Sequence, residues 1–172
     1  MVHAYRWQPV RKKFRRSELG IHFAADPWIA MAVASRHSDK GYMHEVELDL
    51  VNPIRTYDAV DHNATKELEY IADYYDETRS RRNELKKYFR GLTPRILRDF
   101  ERRLWEGINS GMSLDEADNL FILFMKEHGA DGIVYENELE SSEMPWDIDK
   151  TSYIVFDVYQ IRMSRDPVVR NY

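Results

Sequence analysis

The sequence predicts an α+β domain, because strand-like segments lie near the N-terminus, a helical block fills residues 63–128, and strand-like segments return after residue 132. That order lacks the regular strand–helix alternation of a wound parallel sheet. The 172 residues, 43% of them hydrophobic, are about one domain's worth and enough to bury a sizeable core.

The first seven residues, MVHAYRW, are apolar and aromatic as a first strand would be, before Pro9 and the basic run Arg11, Lys12, Lys13, Arg15 and Arg16. Leu19 to Ala24 reads as a short strand that passes directly into a helix, with Asp26 as its N-cap and Pro27 in its first turn. Tyr42, His44, Val46, Leu48 and Leu50 then alternate with Met43, Glu45, Glu47 and Asp49, the period of a half-buried strand that ends at Asn52-Pro53.

From Asn63 the pattern is helical: a long charged helix to about Arg90, a second opened by Thr93-Pro94, and a third opened by Ser113, with Glu116 completing a capping box, and closed by Gly129. This block reads as an insertion between strands. Within it, Tyr70, Tyr74, Tyr75 and Phe89 fall at helical intervals and are expected to pack. Strands return at Gly132–Tyr135 and Ser152–Phe156, separated by a segment carrying Glu136, Glu138, Glu140, Glu143, Asp147 and Asp149.

With no cysteine, the chain has no disulfide framework, thiol nucleophile or Cys-based metal site. The histidines at 37, 44, 62 and 128 lack metal-binding spacing, so no metal is expected. Walker-type, GxGxxG, GxSxG and HExxH strings are absent. No apolar run is long enough to span a membrane and the N-terminus has no signal-peptide layout, so a cytoplasmic protein is expected. The net charge of −5 hides an asymmetry: residues 1–16 hold six basic residues and no acid, leaving −11 for the remainder. The basic run with its interleaved Phe14 fits nucleic-acid contact through residues 11–16, while the acidic remainder works against broad DNA binding.

Three segments in order resemble the NAD-binding fold of ADP-ribosyltransferases. Gly20-Ile21-His22-Phe23-Ala24-Ala25-Asp26 before an alanine-rich helix is similar to the GIYFAD-type segment of the poly(ADP-ribose) polymerase branch and to phage-encoded transferases, among them an anti-CRISPR enzyme reading FFAAD. Gly132-Ile133-Val134-Tyr135-Glu136-Asn137-Glu138-Leu139-Glu140 resembles the DGIVY-x-N-x-x-E stretch of small phage members. Ser152 to Ile161 resembles the EYIVYD..Q strand of the polymerases. The resemblance covers about a third of the chain and leaves the helical block without a counterpart. It implies a split antiparallel sheet with a helical insertion, NAD as substrate, and a mono-ADP-ribosyltransferase acting on a macromolecular acceptor, a protein, in the manner of phage enzymes that modify a host or defence factor.

Transfer passes through an oxocarbenium-like state, which calls for a carboxylate near the ribose and fixed donors for nicotinamide. The polymerase branch keeps its acid just before the YIVY strand, where this chain has Ser152, so the resemblance does not extend to polymer synthesis. The phage-type and E-x-E patterns instead imply Glu140 as the catalytic acid, with Glu138 toward the acceptor and also its competitor. For NAD binding the resemblance implies His3 or Arg6 on the first strand, neither followed by the family's glycine, then Gly20, His22, Phe23, Ser152 and Tyr153. His22 stands where the polymerases stack a tyrosine on nicotinamide, their second stacking tyrosine falls near Val33, and Phe23 and Trp28 are expected in the core. The alternative is a catalytically degenerate fold that acts as a binding or inhibitor protein. An RNA phosphotransferase relative ranks last, since basic residues concentrate only in 6–16.

Overall fold

A computed structural model describes residues 1–9, 14, 19–34, 40–56, 62–77, 83, 89–142, 147–164 and 168–171. Its strands are β1 (Val2–Gln8), β2 (Ile21–Ala24), β3 (Lys40–Leu48), β4 (Ile54–Thr56), β5 (Gly132–Glu136), β6 (Thr151–Val155), β7 (Ile161–Met163) and β8 (Val168–Asn171). The helices are α1 (Pro27–Ala34), α2 (Ala64–Glu77), α3 (Pro94–Asn109), α4 (Leu114–Glu127) and the single turn α5 (Glu138–Ser141). The α+β class is therefore as the element order predicts. The sheet runs β4-β5-β6-β2-β1-β3-β7, with β8 also pairing with β3.

The sheet is mixed rather than wholly antiparallel, because β4 runs parallel to β5. A parallel pair requires a long crossover, and α2, α3 and α4 occupy it. The sequence reading missed β4, which follows Pro53 directly, together with the short β7 and β8. It also set β3 two residues too late, since pairing begins at Lys40 and ends at Leu48. The long helix expected to reach Arg90 is helical through Glu77, and most of residues 78–88 lie outside the described residues.

Local signals account for the helix starts. Asp26 accepts a hydrogen bond from the Trp28 amide at 2.8 Å, and Asn63 accepts from the Lys66 amide at 3.0 Å. Thr93 caps α3 with Pro94 behind it, and Ser113 and Glu116 close a reciprocal capping box on α4. Gly129 ends α4 at φ +92°.

Two parts of the core flank β2. Leu68, Ile71, Leu97, Leu104, Phe121 and Met125 of the helices meet Ile54, Ile133 and Ile154 of the sheet, while Ala4, Val46 and Leu48 meet Ile21, Phe23 and Val155. Asp118 of α4 ties the elements together by accepting from the Leu19 amide at 3.2 Å and the Ala64 amide at 2.8 Å. Phe23 and Phe89 are buried as expected, but Trp28 is 59% exposed. The apolar face of α1 is carried instead by Ile29 and Ala30, which pack against Trp7, Ala24 and Met43. Tyr70 packs partly buried against the helical core. The side chains of Tyr74 and Tyr75 lie outside the described residues.

Gly20 opens β2 at φ +154°, where an added Cβ would stand 2.5 Å from the Val155 carbonyl oxygen and 2.7 Å from Ile154 Cγ2. Close approach to β6 accounts for this glycine without any ligand. Gly20→Ala is expected to cost roughly 2–4 kcal/mol through strain and overpacking. A thermal melt should fall by about 5–10 °C; an unchanged melt would show that β2 and β6 can separate there.

Candidate functional site

The pairing registers place Thr56, Tyr135, Ser152, Ala24, Tyr5 and Glu45 in one row across six strands, on one face. Tyr5–Ala24 is the one register pair joining β1 to β2. The next row, Ile54, Ile133, Ile154 and His22, stops at β2. The sheet is thus divided at a seam, with β4, β5, β6 and β2 on one side and β1, β3, β7 and β8 on the other.

Arg6 occupies the seam. Its Nη1 donates to the His22 carbonyl oxygen at 2.8 Å, and its Nε donates to Gln8 Oε1 at 3.4 Å. The guanidinium carbon is 5.9 Å from the centre of the Phe23 ring. Among the described residues no carboxylate pairs with it, and burial holds its pKa down to about 10. A half-buried cation without a counter-charge favours an anion brought in from solution.

His3 lies elsewhere. It is 46% exposed, and its Nε2 stands 3.1 Å from Glu45 Oε1 and 3.2 Å from the Tyr5 hydroxyl. The geometry therefore separates the two first-strand candidates, with Arg6 in the seam and His3 in a polar group at the start of β1.

The registers also sort the remaining candidates by face. His22 and Ser152 share the face of Tyr5, while Arg6, Phe23 and Tyr153 share the opposite one. At the seam Arg6 reaches the backbone of His22, not its side chain. Ser152 is 2% exposed, with its Oγ 3.5 Å from Asn137 Nδ2. Asn137 donates its amide to the Lys150 carbonyl at 2.8 Å. This fastens α5, which carries Glu138 and Glu140, beside β6. The Glu138 side chain is 62% exposed with Lys150 Nζ 3.8 Å away; the Glu140 side chain lies outside the described residues.

Burial raises the Tyr153 phenol above its ordinary value, with Asp149 adding to the rise and Arg55 opposing it. The neutral phenol is thus favoured in the fold, and its stabilising contribution is present below pH about 10 and lost as pH rises further. Tyr153→Phe should flatten the loss of melting temperature above pH 10. An identical alkaline decline in the variant would assign the loss to other groups.

Two residues that sequence reading missed lie beside His22. His62 Nδ1 stands 2.6 Å from Glu67 Oε1, and both side chains are buried. The His62 ring centre is 4.2 Å from that of Tyr135 and 5.9 Å from that of His22. Their spacing of five residues matches no helical or metal-binding pattern, because His62 precedes the cap of α2 and folds back onto its first turn.

Of residues 11–16, only Phe14 is among the described residues, and its ring packs edge-on against Phe23 and His44 at 5.5 and 5.1 Å. Phe14 thus serves as an anchor on the Phe23 face, not as an open platform for a base. Among the described residues no group of three metal-ligating side chains gathers, and no helix is long and apolar enough to cross a membrane. No family model matches the chain, and comparison with curated proteins and with solved structures finds no similar one.

Proposed function

We propose that this chain is a mono-ADP-ribosyltransferase that binds NAD across the seam and transfers ADP-ribose to a protein target, in the manner of the phage enzymes its motifs resemble. The observation that carries the reading is Arg6, a half-buried cation without a carboxylate partner among the described residues, at the seam between β1 and β2. Its planar fork suits a pyrophosphate. The order of the three motif strands adds support. The GIVYE, SYIVF and GIHFAAD strands are consecutive neighbours in the sheet, with the first strand beside them, so His22 and Ser152 share one face next to the seam.

In this reading Arg6 neutralises the pyrophosphate, His22 lies against the nicotinamide end, and a carboxylate from the Glu138–Glu140 turn stabilises charge developing on the ribose. Holding NAD in a fixed pose supplies much of the rate, because the bond to nicotinamide is already weak toward a cationic ribose.

The test is release of nicotinamide from labelled NAD by the purified protein, alone and then with a bacterial lysate. Protease-sensitive label on macromolecules is the expected result. Absence of binding, cleavage and label would overturn the reading. Ser152 in place of an acid, and the outward Glu138, favour a second reading in which the fold binds NAD or a partner without catalysis. NAD bound but never cleaved would select it.

A further inference from the structure

We propose that a second copy of this chain docks on the outer groove between α3 and α4, so that two α3–α4 hairpins stack face to face in a four-helix interface. The inference is independent of the transferase reading.

The hairpin buries one flank and leaves the other open. Residues 110–113 join the two helices, which therefore run antiparallel. Leu97, Leu104, Phe121 and Met125 turn into the core. The open flank holds a groove of about 430 Å³. Phe100 and Phe124 form its floor, their ring centres 4.0 Å apart and their planes within 6° of parallel. Ile96, Leu120 and Leu123 wall it and are 39, 41 and 57% exposed. Large apolar side chains gathered on one surface mark a contact site. A groove between antiparallel helices receives further helices by the packing that builds a four-helix bundle.

The charges on the rim identify the occupant. Elsewhere on α3, Arg98 pairs with Glu101 at 3.1 Å and Arg102 with Glu106 at 2.9 Å. Asp99, Arg103 and Glu127 line the groove and take part in no ion pair among the described residues, although Asp99 and Arg103 stand four residues apart on one helix face. Their signs are ordered along the hairpin. Arg103 lies one helical turn, about 6 Å, nearer the connecting turn than Asp99, and Glu127 ends α4 at the opposite end. A two-fold axis crossing the groove at right angles sets each Arg103 against the partner's Asp99 and Glu127, with the leucines of both copies between them. Such self-complementarity is what an isologous dimer requires. A foreign partner of one sign would be repelled at one end of the rim. Apolar contact supplies the affinity, and the exposed charges fix the register.

The experiment follows the full chain by sedimentation velocity from about 1 to 100 μM, where weak dimers dissociate. A mass rising with concentration to that of two chains is the expected result. Leu123→Asp, at an exposed position, should weaken association at least tenfold, roughly the effect of one lost apolar anchor and a buried charge. Arg103→Glu makes the rim wholly acidic, and Asp99→Arg combined with Glu127→Arg makes it wholly basic. Each of these should raise the dimer Kd by roughly tenfold or more through like charges brought together, and an equimolar mixture of the two should recover dimers of mixed composition. Circular dichroism checks that each variant is folded.

A wild-type chain that stays monomeric at the highest concentration overturns the proposal, and so does a groove that takes a foreign protein instead of a second copy. A dimer unaltered by Leu123→Asp overturns it as well, because the contact then lies elsewhere. Charge variants that are monomeric alone and fail to pair when mixed overturn the two-fold arrangement. If Leu123→Asp does not fold, the charge-reversed pair decides. None of these outcomes bears on NAD cleavage.

Discussion

Replacing Arg6 with methionine is expected to abolish measurable NAD binding while leaving the chain as stable as the native protein or more so. The two halves of this result follow from one observation. The guanidinium lies in the seam with a 2.8 Å bond to the His22 carbonyl and no carboxylate among the described residues, and burial alone pulls its pKa down to about 10. Such a cation is held against its own preference for water. Methionine keeps the apolar length of the side chain and removes the charge, so the lost bond to His22, about 1 kcal/mol, is offset by relief of desolvation. Binding responds in the opposite direction. Two charge-assisted bonds to a pyrophosphate, at roughly 1.5–3 kcal/mol each, correspond to at least a hundredfold in Kd. Calorimetric titration with NAD and a thermal melt of both proteins measure the two halves. Arg6→Lys should recover little of the binding, since an ammonium lacks the planar fork. A variant that melts far below the native protein would make Arg6 a structural residue, and one that binds NAD unchanged would remove the observation on which the proposed function rests.

What was legible in the sequence depended on how local its cause was. The caps at Asp26, Thr93 and Ser113 act within three or four residues, so each helix start could be read from the chain. The alternation in β3 depends on one half-buried face and was also visible, although its ends were not, because they are set by where β7 and β8 pair. β4 was missed because three residues give no period, and its strand character comes from parallel pairing with β5, almost 80 residues away. Trp28 is exposed because the contact face of α1 is filled by Ile29 and Ala30. At the candidate site, Arg6 and His3 were equivalent in sequence, and only the single Tyr5–Ala24 register pair distinguishes them by locating the seam. The His62–Glu67 pair left no signal at all. Its neighbours Tyr135 and His22 come from two distant strands.

The position of Ser152 leads to the second large effect: Ser152→Glu, which restores the acid of the polymerase branch in sequence, is expected to destabilise the fold without conferring polymer synthesis. Ser152 lies between Ala24 and Tyr135 in the row, 2% exposed, with one long contact to Asn137. A glutamate there would carry its charge into the interior with no cation of the described residues beside Ser152 to receive it. Breaking or omitting the partner of a buried charge costs about 3–5 kcal/mol, a large share of the roughly 5–15 kcal/mol that holds a domain together. The melting temperature should fall by about 10 °C or more at pH 7. The sign with pH is diagnostic. Burial raises the folded-state pKa of the new carboxyl above its unfolded value of about 4.3, so the deficit is small below that value and grows as pH rises through the folded pKa. Melts at pH 4 should therefore bring the variant close to the native protein, while Ser152→Ala should stay close at both pH values. A Glu variant that melts normally at pH 7 would mean that the row between α1 and β6 opens to water, and the acid for transfer would then be sought on β6 instead of in the Glu138–Glu140 turn.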